Sequence, residues 1–163
     1  MGAGSDGTQR ASSGAVVQTD PNRWHTRNMR RSLGDGWSIQ LPKEWREDHT
    51  DGAMAAWRAA GKSMRAFPGD DYRCATTLDV LADIERELPL NPTGKVSEGG
   101  SNGVGVRAAW FYRDPGEGLR YALWGYSFTG TDSTRYLVTR FHSEDTDNAE
   151  WAFSAWRSIT YES

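Results

Sequence analysis

The chain's three histidines stand at positions 25, 49 and 142. Imidazole is the side chain best suited to acid–base work or metal ligation near neutral pH. His49 lies in "DHTD", between Asp48 and Asp51, and a histidine with two carboxylates is a donor set for a divalent cation. A solvated loop after Trp45 accounts for the same residues. His142 precedes Ser143, Glu144 and Asp145, and a carboxylate beside it would orient the imidazole as a general base. A strand-end histidine next to a helix cap has the same pattern. Cys74, the single cysteine, follows Arg73 and precedes a helix start at Thr76. A helix N-terminus lowers a thiol pKa, whereas a small buried apolar residue is the simpler reading. There is no G-x-S-x-G nucleophile elbow. "GVG" at 103–105 opens a strand rather than a helix, and "EGGSNGVG" lacks the Gly-Lys-Ser/Thr of a phosphate loop. No catalytic residue, metal ligand or cofactor is assigned on this basis.

A second set of residues suits recognition better than catalysis. Trp110, Tyr112, Tyr121, Trp124, Tyr126 and Tyr136 crowd the segment 104–142, interleaved with Arg107, Arg113, Arg120, Arg135 and Arg140. Aromatic pairs across strands stabilise a sheet. Where such rings leave the core they form an apolar wall with polar tips, suited to a partner helix, a peptide or a small amphipathic ligand. The arginines favour an acidic partner. The candidate binding residues are Trp110, Tyr112, Tyr121, Trp124, Tyr126, Arg107, Arg120 and Arg140.

Composition narrows the field. The 163 residues suit one domain, long enough to bury a core without disulfide or metal. Eight Trp and six Tyr point to a core built on aromatic anchors. A net charge of −3 with dispersed basic residues argues against a dedicated nucleic-acid binder. One cysteine permits no intrachain disulfide, which leaves a cytoplasmic or an exported location open. No apolar run has the length of a transmembrane helix. No signal peptide is visible, and an upstream lipid anchor stays possible.

The elements that must position these residues follow from periodicity. Residues 1–22 are rich in Gly, Ser, Thr and Ala and read as a disordered tail or linker; 23–163 read as a single domain. Residues 23–34 fit one or two helical turns. Trp37, Ile39 and Leu41 alternate as in a half-buried strand, which Pro42 stops. Residues 53–67 read as a β-hairpin and "FPGDD" as a loop. "TTLDVLADIEREL", 76–88, is the clearest helix, with Thr76 and Asp79 spaced as a capping box. Residues 91–103 read as a flexible Gly-rich loop. Three strands follow, 104–114, 119–128 and 134–142, as an antiparallel meander. Both faces of these strands carry apolar residues, so both are expected to be covered. Residues 143–159 read as a helix, with Asp147 and Glu150 at capping-box spacing.

The order strand, hairpin, helix, meander, helix makes an α+β fold, mostly antiparallel sheet with helices packed on it. Together with "GWSIQLPKEW" at 36–45 and "AWRSITY" at 155–161, this order resembles the PsbP-like α/β/α sandwich superfamily over roughly residues 36–161. It resembles most a bacterial branch in which a Trp follows the first Leu-Pro and another closes the last helix. The resemblance implies a binding or assembly factor rather than an enzyme. No motif matches a link to photosynthesis or to Ran. The alternatives are a small hydrolase or metal-dependent enzyme using His49 or His142 with nearby acids, and an immunity-type inhibitor whose acidic loops mask a toxin.

Overall fold

The structure, a computed structural model, describes Met1 and residues 27–49, 52–70, 76–89, 91–113, 116–130 and 133–163. The expected tail at 1–22, Cys74 and His25 fall outside them, apart from Met1.

The described chain opens with β1 (Asn28–Gly34) and β2 (Trp37–Pro42), an antiparallel hairpin in place of the helical turns expected over 23–34. The signal was in the turn. Gly34, Asp35 and Gly36 take φ of 92°, 49° and 83°, and Asp-Gly is a strong hairpin dipeptide because both residues tolerate the left-handed region. Next come the short β3 (Arg46–Glu47), then β4 (Ala55–Ala59) and β5 (Lys62–Asp70), which form the expected hairpin. β5 runs on through Phe67, Pro68 and Gly69, read above as a loop. Beyond Ala66 it pairs with one neighbour only, so the N–H that Pro68 lacks is not needed by a second strand.

Helix α1 (Thr77–Glu87) carries the expected reciprocal capping box between Thr76 and Asp79. The "Gly-rich loop" is largely strand: β6 (Gly94–Gly99) pairs in register with β7 (Val106–Phe111). As an edge strand it needs only its backbone ladder, so Gly, Lys, Ser and Glu serve. β8 (Arg120–Phe128) and β9 (Arg135–Ser143) complete the meander. Helix α2 (Glu150–Arg157) starts later than expected, at Ala149, with no side-chain cap. The short β10 (Thr160–Tyr161) returns to pair with β2.

The fold is therefore α+β and mostly antiparallel. A seven-stranded sheet runs β3-β4-β5-β9-β8-β7-β6 and a three-stranded one β1-β2-β10. The small sheet and α2 cover one face of the large sheet, where Trp37, Ile39, Leu41, Met64, Leu123, Phe141 and Trp156 form the main core. Gly125 on β8 permits that contact: a Cβ there would lie 2.4 Å from the Trp156 ring. Helix α1 covers part of the other, outer face. Val80, Leu81 and Ile84 pack on Ala108, Trp110, Tyr126 and Phe128.

Candidate functional site

Residues paired directly across antiparallel strands share a face. The register places Arg65, Arg140, Trp124, Trp110 and Lys95 in one row across β5, β9, β8, β7 and β6 of the outer face. The next row contains Ser63, His142 and Tyr121. Helix α1 closes the β6–β7 end. Trp110 is buried, set edge-on to Tyr126 at 5.8 Å and capped by Lys95, whose ammonium lies 5.2 Å from the ring centre and pairs with Glu85 of the helix. Burial pushes the Tyr126 hydroxyl pKa well above its ordinary value. Trp110 and Tyr126 are thus core rather than wall.

The rings toward β9 lie at the margin of this cover. Tyr121 is half-buried and touches Tyr112, Trp124 and His142 at centroid distances of 6.1, 5.1 and 4.7 Å. Tyr112 is buried, and its hydroxyl donates to the Pro89 carbonyl at 3.4 Å. Between the chain after α1 and these rings opens a cleft of ≈ 710 Å³, lined among others by Asn91, Tyr112, Tyr121, Arg120 and His142. Arg120 sits at its rim and donates to the Glu117 carbonyl.

Arg140 lies against two rings of this face. Its guanidinium lies 4.1 Å from the Trp124 ring centre and 4.6 Å from that of Phe67. Cation–π contacts on two rings hold it in one pose. Its Nε has no hydrogen-bond partner among the described residues. Phe67 and Arg65 share this face and were missed above; the alternation of Ser63, Arg65 and Phe67 was the available signal.

Arg107 does not join them. Its side chain points to the opposite face and is buried at 4% exposure, donating from Nη1 to the Arg157 carbonyl and from Nη2 to that of Ile159 at 2.6 Å. It ties down the end of α2. Burial lowers its pKa, against the nearby Glu98 carboxylate. That carboxylate is held below its ordinary pKa by its hydrogen bonds with Arg157.

The His142 group does not assemble with its neighbouring acids, and the His49 group falls partly outside the described residues. His49 is exposed and Asp51 lies outside the described residues. Among the described residues no three His, Cys, Asp or Glu side chains converge as a metal site. His142 faces Tyr121 and Ser63, while Ser143 points to the other face. Burial first, then the charges of Arg65 and Arg140, lower its pKa to about 4, with no carboxylate among the described residues opposing them. Its Nδ1 has no hydrogen-bond partner among the described residues.

No family model matches the chain, and no curated protein does. The chain is similar to a protein of Bacteroides thetaiotaomicron VPI-5482 whose crystal structure was determined at 1.50 Å. The TM-score is 0.49 and the identity 11%, and the match covers 78% of this chain and 46% of that one. The matched region thus spans less than half of that protein. No described helix is long and apolar enough to cross a membrane.

Proposed function

We propose that the protein is a non-enzymatic binding or assembly module, a sandwich of the PsbP-like kind. It receives a protein or small amphipathic ligand on the part of the outer sheet face that α1 leaves open, at Tyr112, Tyr121, Arg120, Arg140 and His142. The observation that carries this reading is the Arg140 guanidinium, clamped between Phe67 and Trp124 beside an aromatic cleft. A pre-oriented cation next to rings loses little freedom when it binds an anionic group. The hydrolytic alternative has weaker support: a histidine with a pKa of about 4 is a poor base at neutral pH, and no carboxylate among the described residues orients it.

The test is an amide NMR titration with 1-naphthoate, a planar anion, alongside assays with p-nitrophenyl acetate and p-nitrophenyl phosphate. Shifts at Tyr121, Arg140 and His142, with no turnover attributable to His142, are expected. Turnover abolished in a His142→Ala variant, with no shifts on this face, would replace the module by an enzyme.

A further inference from the structure

The outer face continues past the cleft onto β5, β4 and β3, and there its chemistry changes. Arg46 on β3 is paired directly with Arg58 on β4. Arg58 in turn pairs with Ser63, and two residues along, Arg65 pairs with Arg140. The four guanidinium groups therefore occupy one face of four adjacent strands as two cross-strand like-charge pairs. Like charges directly opposite one another destabilise a sheet, so the pairing of Arg46 with Arg58 and of Arg65 with Arg140 does not itself stabilise the fold. Arg46, Arg58 and Arg65 are exposed and Arg140 is half-buried. None of the four guanidinium groups makes an ion pair among the described residues. The protein as a whole carries a net charge of −3, so this field is local.

We infer that the two arginine pairs are a docking surface for an extended acidic polypeptide segment of a partner protein, an inference that rests on the outer face being the binding surface. Arg46, Arg58 and Arg65 are exposed, so a single small anion seated on those three would meet hydrated cations and gain little. A chain of carboxylates crossing the strands engages both pairs at once, each further carboxylate binding intramolecularly. Planar guanidinium forks match carboxylates in two-point geometry. Single-stranded nucleic acid also carries regular negative charge, but it relies on rings free to stack on bases. Here Trp110 is under α1, and Arg140 occupies Trp124 and Phe67.

The test is fluorescence anisotropy with a labelled hexa-aspartate peptide at low ionic strength, with an oligothymidylate as competitor. Binding is expected to weaken steeply with salt. The double variants Arg46→Gln/Arg58→Gln and Arg65→Gln/Arg140→Met are each expected to weaken it about tenfold or more, and Arg135→Gln, on the other face, to leave it unchanged. Because Arg140 is packed between rings, Arg65→Gln alone is the check that leaves this packing intact, and it is expected to weaken binding severalfold. No binding, equal loss in Arg135→Gln, or displacement by the oligothymidylate more effectively than by unlabelled peptide would overturn the inference. If naphthoate still shifts the cleft while the peptide fails, the partner chemistry is wrong and the module stands. If neither binds, the module reading falls with it.

Discussion

Two arginines of this chain have opposite fates, and burial separates them. Arg107 gives its fork to two backbone carbonyls behind the sheet. Hydrogen bonds from a charged donor contribute about 1.5–3 kcal/mol each, and their loss leaves buried carbonyls unmatched. Arg107→Met is therefore expected to cost about 3 kcal/mol, a fall in Tm of roughly 6–12 °C for a domain of this size. Calorimetry checks this, and binding of hexa-aspartate to the folded variant should be unaltered. His142 supplies the second prediction at this scale. Its folded pKa, about 4, lies below the ordinary value of 6.5. Between those values the unfolded chain binds the proton more readily than the folded one, so stability falls as pH drops from about 6.5 to about 4. His142→Gln, which does not titrate, should show a shallower loss over that window in denaturant titrations at successive pH values. An unchanged slope would mean that His142 is not held neutral.

At the level of elements, the regular amphipathic pieces were legible. Helix α1 with its Thr76–Asp79 box, the hairpin β4–β5 and the meander β7–β9 follow directly from period and turn chemistry. The misses share a cause. β1, β6 and the end of β5 are edge or single-partner segments with mostly exposed or half-buried side chains, so little apolar alternation marks them in the sequence. Their strand character comes from tertiary pairing, which local sequence records weakly. The candidate site was legible as a list and not as a surface. Register alone could separate Arg107 from Arg140, or unite Arg46 with Arg65. The contact between α2 and the sheet gives a prediction of its own. Gly125→Ala would place a methyl 2.4 Å from Trp156 and 3.1 Å from the Thr139 hydroxyl. Over-packing of this kind costs about 1–3 kcal/mol, read as a lower denaturant midpoint. Thr76→Ala should cost about 1 kcal/mol through loss of the α1 cap.

At the scale of the whole molecule, one face of the large sheet is committed to stability and the other is divided. Helix α1 seals the β6–β8 part, and the β3–β5 part carries positive charge on a protein that is negative overall. A surface kept against its own repulsion should relax when neutralised. Arg65→Gln is expected to raise stability by about 0.2–1 kcal/mol at low salt, and the gain should shrink as salt screens the pair. Binding and stability then move in opposite directions in the same variant. The most direct measurement is the His142 imidazole titration by NMR, with and without hexa-aspartate. Burial, then the charges of Arg65 and Arg140, hold that pKa down, and carboxylates seated on the two arginines offset their part of the shift and are expected to raise it. A midpoint near 4 for the free protein that rises with peptide, and rises less in Arg65→Gln than in wild type, is the result expected. A midpoint that does not move at saturating peptide would contradict the account.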